Sequence, residues 1–159
     1  MSNPGDSDDT PLTSLRQMAE YLAAGCKPKE AFRIGTEHEK FGFRHADLTA
    51  PPYLPADGQP GSIRDVLAGL ARFGGEPIKD GENTIGLKDG AASVSLEPAG
   101  QLELSGGPLE TLHDTRHELE THFEQVRVAC QGLDTGFAPL GFHPLAARAA
   151  MPWMPKGRY

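Results

Sequence analysis

The sequence has little cysteine, a shortage of basic residues and no long apolar run, and each lack removes a class of protein. Only Cys26 and Cys130 occur in 159 residues, too few and too far apart for a disulfide framework. The plain expectation is a pair of reduced intracellular thiols. No stretch nears the roughly 18 apolar residues that a membrane-spanning helix needs. The opening MSNPGDSDDT is polar and acidic, without the apolar core of a secretory leader, so a soluble, cytoplasmic protein is expected. The 15 Lys and Arg are outnumbered by 22 Asp and Glu, for a net charge of −7, the wrong sign for a nucleic-acid surface. The GxxxxGK[ST] pattern is absent, which excludes a P-loop.

What is present is a turn-rich α+β chain. Glycine (19) and proline (14) are plentiful but stay below the roughly 25–30% that marks disorder. Residues 1–11 are expected to be a disordered acidic tail, and 12–159 one domain. Leu15, Met18, Ala19, Leu22 and Ala23 recur at helical spacing, with Thr13 or Ser14 as cap and Gly25 as stop. Residues 32–43 alternate as a strand does, and 47–61 are a proline-rich loop. Ser62 and Asp65 form a capping box for a short helix that ends at Gly74-Gly75. Three strands are expected around 84–88, 93–97 and 101–105, the first two joined by an Asp89-Gly90 hairpin. Pro108 suits the first turn of a long helix. Its apolar stripe would be Leu112, Leu119, Phe123, Val126, Cys130 and Leu133. A last strand is expected over 137–142.

The carboxylates carry the chemical interest. Glu37 and Glu39 are two apart on a strand, so both project from one face. Gln101 and Glu103 share a side of a later strand, and Glu97 closes the strand before it. Val94, Leu96, Leu102 and Leu104 fall on the other side. The sheet would then have one apolar and one acidic face. Clustered carboxylates repel, and a hard divalent cation such as Mg2+ relieves that repulsion through oxygen ligands. Alternation by itself favours a solvated sheet face over a metal site. His113, His117 and His122 are expected on the long helix's surface, since the HExxH pattern of a zinc site is missing. His38 points away from Glu37 and Glu39 and is expected to be structural. Lys156 and Arg158 suit a substrate carboxylate or phosphate, or a solvated basic end. Arg33 is expected to ion-pair on the acidic face.

Three strings carry a resemblance: Gly25-Cys26-Lys27-Pro28-Lys29 through Arg33-Ile34-Gly35-Thr36-Glu37-His38-Glu39-Lys40-Phe41-Gly42-Phe43; Ser95-Leu96-Glu97-Pro98-Ala99-Gly100-Gln101-Leu102-Glu103-Leu104-Ser105-Gly106; and Met154-Pro155-Lys156-Gly157-Arg158-Tyr159. Their order and wording resemble the N-terminal portion of plant-type (class 2) glutamate–cysteine ligases, from about residue 12 onward. Ala99 departs from the glycine common in the family. The resemblance implies an antiparallel sheet with helices on one face, part of the funnel fold of glutamine-synthetase-like carboxylate–amine ligases. It implies ATP-dependent joining of the L-glutamate γ-carboxyl to L-cysteine through a γ-glutamyl phosphate, the first step of glutathione synthesis. It also implies Mg2+ on Glu37, Glu39, Glu97 and Glu103, with Arg158 binding substrate. The alternatives are a Mg2+-binding fragment without turnover, or a related ligase using another amine. Family chains are much longer, so these 159 residues alone are expected to be inactive, with the adenine and cysteine pockets beyond Tyr159. Plant members are under redox control, but no pairing of Cys26 with Cys130 is implied.

Overall fold

The computed structural model describes residues 9–55 and 58–159. Of the acidic tail expected over 1–11, residues 1–8 lie outside the described residues, and 9–11 are exposed. The chain resolves into two compact units, Met1–Arg33 and Ile34–Tyr159. The first carries α1, Leu15–Ala24. Ser14 caps it, its hydroxyl accepting the Gln17 N–H at 3.1 Å, which satisfies one orphan donor of the first turn. Gly25 closes the helix with a right-handed φ of −76°, so the left-handed glycine cap is not used.

The second unit is built on a six-stranded antiparallel sheet, counted among the described residues. Its strands are β1 (Glu37–Phe43), β2 (Glu76–Asp80), β3 (Asn83–Asp89), β4 (Ala92–Leu96), β5 (Leu102–Ser105) and β6 (Gly136–Ala138). Their order across the open sheet is β2-β3-β4-β5-β1-β6. The Asp89-Gly90 hairpin forms as expected, with Asp89 opposite Ala92. The strand expected from residue 32 begins at Glu37; Ile34 instead makes an isolated bridge to Leu109. β2, which contains Pro77, has no counterpart among the expected strands. It is an edge strand, where the missing N–H of proline is tolerated. The strand expected over 137–142 stops at Ala138 because Pro139 follows and cannot donate to a ladder.

Helix α2 (Ile63–Leu70) starts at the expected capping box: Asp65 N–H donates to the Ser62 hydroxyl, and the Asp65 carboxylate accepts the Ser62 N–H. Ile63, Val66, Leu67 and Leu70, at i, i+3, i+4 and i+7, are all buried. Gly74 and Gly75 then turn the chain with φ of 110° and 94°, which side chains other than hydrogen resist. Helix α3 (Leu112–Ala129) begins later than Pro108 predicts, because Leu109 is still tied to Ile34 and a Thr111–Asp114 capping box sets the start. The two helices pack beside each other: a Cβ added at Gly69 would lie 3.0 Å from the Ala129 Cβ. That close approach turns α3 so that His122, Val126 and Ala129 face inward, while Leu112 stays 73% exposed. The expectation that His122 is a surface residue is therefore corrected; His113 and His117 are exposed as expected. The core joins these helix faces to Leu87, Leu96 and Leu102.

Candidate functional site

Strand register decides which carboxylates meet. Glu39 on β1 lies opposite Glu103 on β5, and Glu103 lies opposite Ser95 on β4. Directly opposed residues bring their Cβ atoms to about 5 Å. Glu37 lies one step away, opposite Ser105. Glu97 arrives from the end of β4, where the chain reverses over Pro98–Gly100. The Glu97 N–H donates to the Gln101 carbonyl at 2.8 Å, closing that turn. Inside it, Ala99 sits at φ 64° and Gly100 at φ 76°. A Cβ on Gly100 would reach Ile63 Cγ1 at 3.1 Å, so the turn is pressed onto the core.

This face is graded, not uniformly wet. Glu37 and Glu39 are exposed, while Glu97, Gln101 and Glu103 are buried. Burial raises the Glu97 carboxyl above its ordinary value; the Lys156 ammonium pulls it back down, and the Glu103 carboxyl, hydrogen-bonded to it, pushes it up. Lys156 Nζ sits 3.6 Å from Glu97 Oε1 and donates to the Leu96 carbonyl at 2.6 Å. Arg158 Nη2 and the Tyr159 hydroxyl reach Glu97 Oε2 at 3.3 and 3.2 Å. Ser105 donates to Glu103 Oε1 at 3.1 Å, and Gln101 Nε2 donates to Glu39 Oε2 at 2.6 Å. The structure thus sets Glu39 opposite Glu103 on neighbouring strands, hydrogen-bonds Glu97 to Glu103, leaves Glu37 one step further along β1 and lays Arg158 against Glu97. Arg33 belongs to the first unit, where it donates to the Glu30 and Phe32 carbonyls. A groove of about 690 Å³ has Phe41, Gln101, Met151, Trp153 and Tyr159 in its lining, and of these Gln101 bonds Glu39 and Tyr159 bonds Glu97.

Sequence reasoning missed Gln101 as a partner of Glu39, and Tyr159 and Lys156 as partners of Glu97. It also missed Lys40, 2% exposed on the opposite face. Its Nζ lies 3.0 Å from the His38 carbonyl and 3.2 Å from His38 Nδ1. Burial pushes the Lys40 amine down to about 8, against the upward pull of Glu103 and Glu39. The i+1 position of Lys40 after Glu39 was the available signal: alternation puts it in the core. His38 meets the Phe123 ring edge-on at 5.1 Å, in keeping with a structural role. Both cysteines are free, and burial pushes the Cys130 thiol up to about 11, which keeps it unreactive near neutrality.

Among the described residues no three His, Cys, Asp or Glu side chains form a metal-holding group. The donor chemistry nevertheless fits a hard cation. The donors are all carboxylate oxygens, and the buried Glu97–Glu103 pair carries the like-charge strain that a dication relieves.

Fold and face together define an α+β protein whose sheet is helix-packed on one side and carries opposed carboxylates on the other. Residues 33–159 match the family model described as Glutamate-cysteine ligase family 2, and the chain belongs to that family. Over 150 residues, 94% of the chain, it is 51% identical to glutamate–cysteine ligase B, chloroplastic, of Oryza sativa subsp. japonica. It is 47% identical, over the same share, to glutamate–cysteine ligase, chloroplastic, of Medicago truncatula and of Arabidopsis thaliana. The matched stretch is 29, 28 and 27% of those relatives' lengths. Their chloroplastic names overturn the cytoplasmic expectation. That expectation rested on the lack of an apolar leader, a feature of secretion that says nothing of organelle import. Among the described residues no helix is long and apolar enough to cross a membrane.

Proposed function

We propose that residues 12–159 form the N-terminal part of a ligase catalytic domain of the funnel type, which joins the γ-carboxyl of L-glutamate to L-cysteine at the expense of ATP. The single observation behind this reading is the register that sets Glu39 opposite Glu103, with Glu97 hydrogen-bonded to Glu103, in a member of this family. Glu39, Glu97 and Glu103, with Glu37 at the margin, would hold Mg2+. When bound, it supplies Lewis-acid neutralisation of phosphate charge. The strands supply rigidity: Glu39 and Glu103 are fixed by register, and Glu97 by its turn. Lys156 holds Glu97 in place, and Arg158 is close enough to exchange that contact for a substrate carboxylate or phosphate. In the proposed reaction the glutamate γ-carboxylate takes the terminal phosphoryl group of ATP, the cysteine amine attacks the acyl phosphate, and phosphate leaves. The protein's part is positioning and electrostatics.

The test is Glu39→Gln in a full-length ligase carrying this segment, which keeps shape and removes one charge. Turnover is expected to fall about 100-fold, as when one electrostatic element is deleted. Parent-like kinetics at saturating Mg2+ would remove Glu39 from the metal set. A second reading is a Mg2+-binding piece without turnover. ADP release with glutamate and cysteine, measured on the 159 residues alone, tests the second reading: none is expected, and clear turnover would overturn it.

A further inference from the structure

We propose that Gln101 is a positioning residue, a neutral donor that orients the Glu39 carboxylate without cancelling its charge. The inference rests on the metal-binding reading above. A carboxylate is acceptor-only, so the Gln101 amide must present Nε2 to it, and the contact at 2.6 Å is short. Gln101 is 8% exposed, and its backbone is held at both ends. Its carbonyl accepts the Glu97 N–H at 2.8 Å, and its own N–H donates to the Pro98 carbonyl at 3.3 Å. The amide is therefore aimed from a fixed base across β5 to β1.

The choice of donor separates Glu39 from its neighbour. Glu97 lies among cations, Lys156 at 3.6 Å and Arg158 at 3.3 Å. Glu39 instead receives an amide, which takes Oε2 and leaves Oε1 to a ligand while the full negative charge remains. Ligating carboxylates are commonly held this way by an outer hydrogen bond, and loss of such a partner weakens metal binding about 10–100-fold. A lysine at 101 could donate equally well but would compete with a dication for the same charge.

Two measurements on the 159-residue chain test this. Without metal, the Gln101 side-chain amide protons, followed by 15N NMR, are expected to exchange slowly in the parent and fast in Glu39→Ala. Fast exchange in the parent would overturn the inference. With Mn2+ as an EPR probe, Gln101→Met, which keeps shape without donors, is expected to raise Kd at least tenfold. Gln101→Lys, folded by circular dichroism, is expected to weaken binding too. Parent-like Mn2+ affinity in either variant would overturn the neutral-donor role. If Gln101→Met fails to fold, amide exchange and the lysine variant decide. A parent that binds no Mn2+ yet protects its Gln101 amide would sink the metal reading and leave the Gln101–Glu39 contact standing.

Discussion

The two faces of this sheet treat buried polar groups in opposite ways. On the helix-packed face, His122 is 3% exposed and neither ring nitrogen has a hydrogen-bond partner. Burial holds its imidazole down at about 3, with help from the Lys40 and His38 charges. Lys40 on the same face is pushed down to about 8. On the other face, Glu97 and Glu103 are comparably buried, but hydroxyl, ammonium or guanidinium donors surround them. On the helix-packed face His122 is left without partners and is driven to neutrality, whereas on the other face donors surround the buried carboxylates. Burial alone therefore does not distinguish the two faces; the matched set of donors does.

The largest expected effect breaks the comparison if it fails. The His122 pKa lies well below that of the unfolded chain, so the unfolded state takes up a proton that the native state refuses. The neutral imidazole's stability is fully present above about pH 6.5 and is lost as pH falls toward about 3. At about 1.4 kcal/mol per pH unit, the window amounts to roughly 5 kcal/mol. Urea unfolding of the parent and His122→Leu at stepped pH should show the variant gaining on the parent by that order. Near pH 7 the variant should already be steadier by about 1–2 kcal/mol, since it removes unpartnered polar atoms. Parallel pH profiles would mean that His122 is solvated, and the contrast between the faces would collapse.

Adjacent residues on β5 sharpen the same comparison. Leu102, 0% exposed, faces the helices, and Glu103, 2% exposed, faces the carboxylates. Leu102→Ala should cost about 3 kcal/mol, as a cavity in a packed core does. Glu103→Gln keeps volume and relieves the repulsion that adds to burial in raising Glu97. Denaturant unfolding without divalent cations should place it within about 1 kcal/mol of the parent, or above it. Equal losses would show Glu103 to be an ordinary structural residue.

How far these faces were legible beforehand follows from what periodicity can carry. Alternation sorted Glu37, Glu39 and Glu103 from Leu102 and Leu104, because a side-chain period of two is a local property. Capping residues placed the start of α2 for the same reason. The α3 stripe was right for Val126, Cys130 and Leu133 but left out His122 and Ala129, because the rotation of a helix is set by its neighbour. The Gly69–Ala129 approach lies in no single helix's pattern and put His122 inside. Gln101 to Glu39 spans 62 residues and Lys156 to Leu96 spans 60, and a single sequence offers no signal for either.

The smallest expected effect lies at the turn that joins the faces. Ala99 holds a left-handed φ of 64°, which costs an L-residue about 1–2 kcal/mol. Ala99→Gly removes that strain, but it also frees the unfolded chain, which offsets about 0.4–1 kcal/mol. The expected balance is a gain of about 0.5 kcal/mol, seen by calorimetry as a rise of about 2 °C in Tm. The direction matters more than the size. Gly100, next in line, presses on Ile63 while Glu97, two residues before Ala99, reaches Lys156. A relaxed turn with unchanged Mn2+ affinity would mean that the donors around Glu97 fix its carboxylate. A higher Tm with weakened Mn2+ binding would mean that the strained alanine itself aims Glu97, and that the charged face depends on backbone strain as well as on its partners.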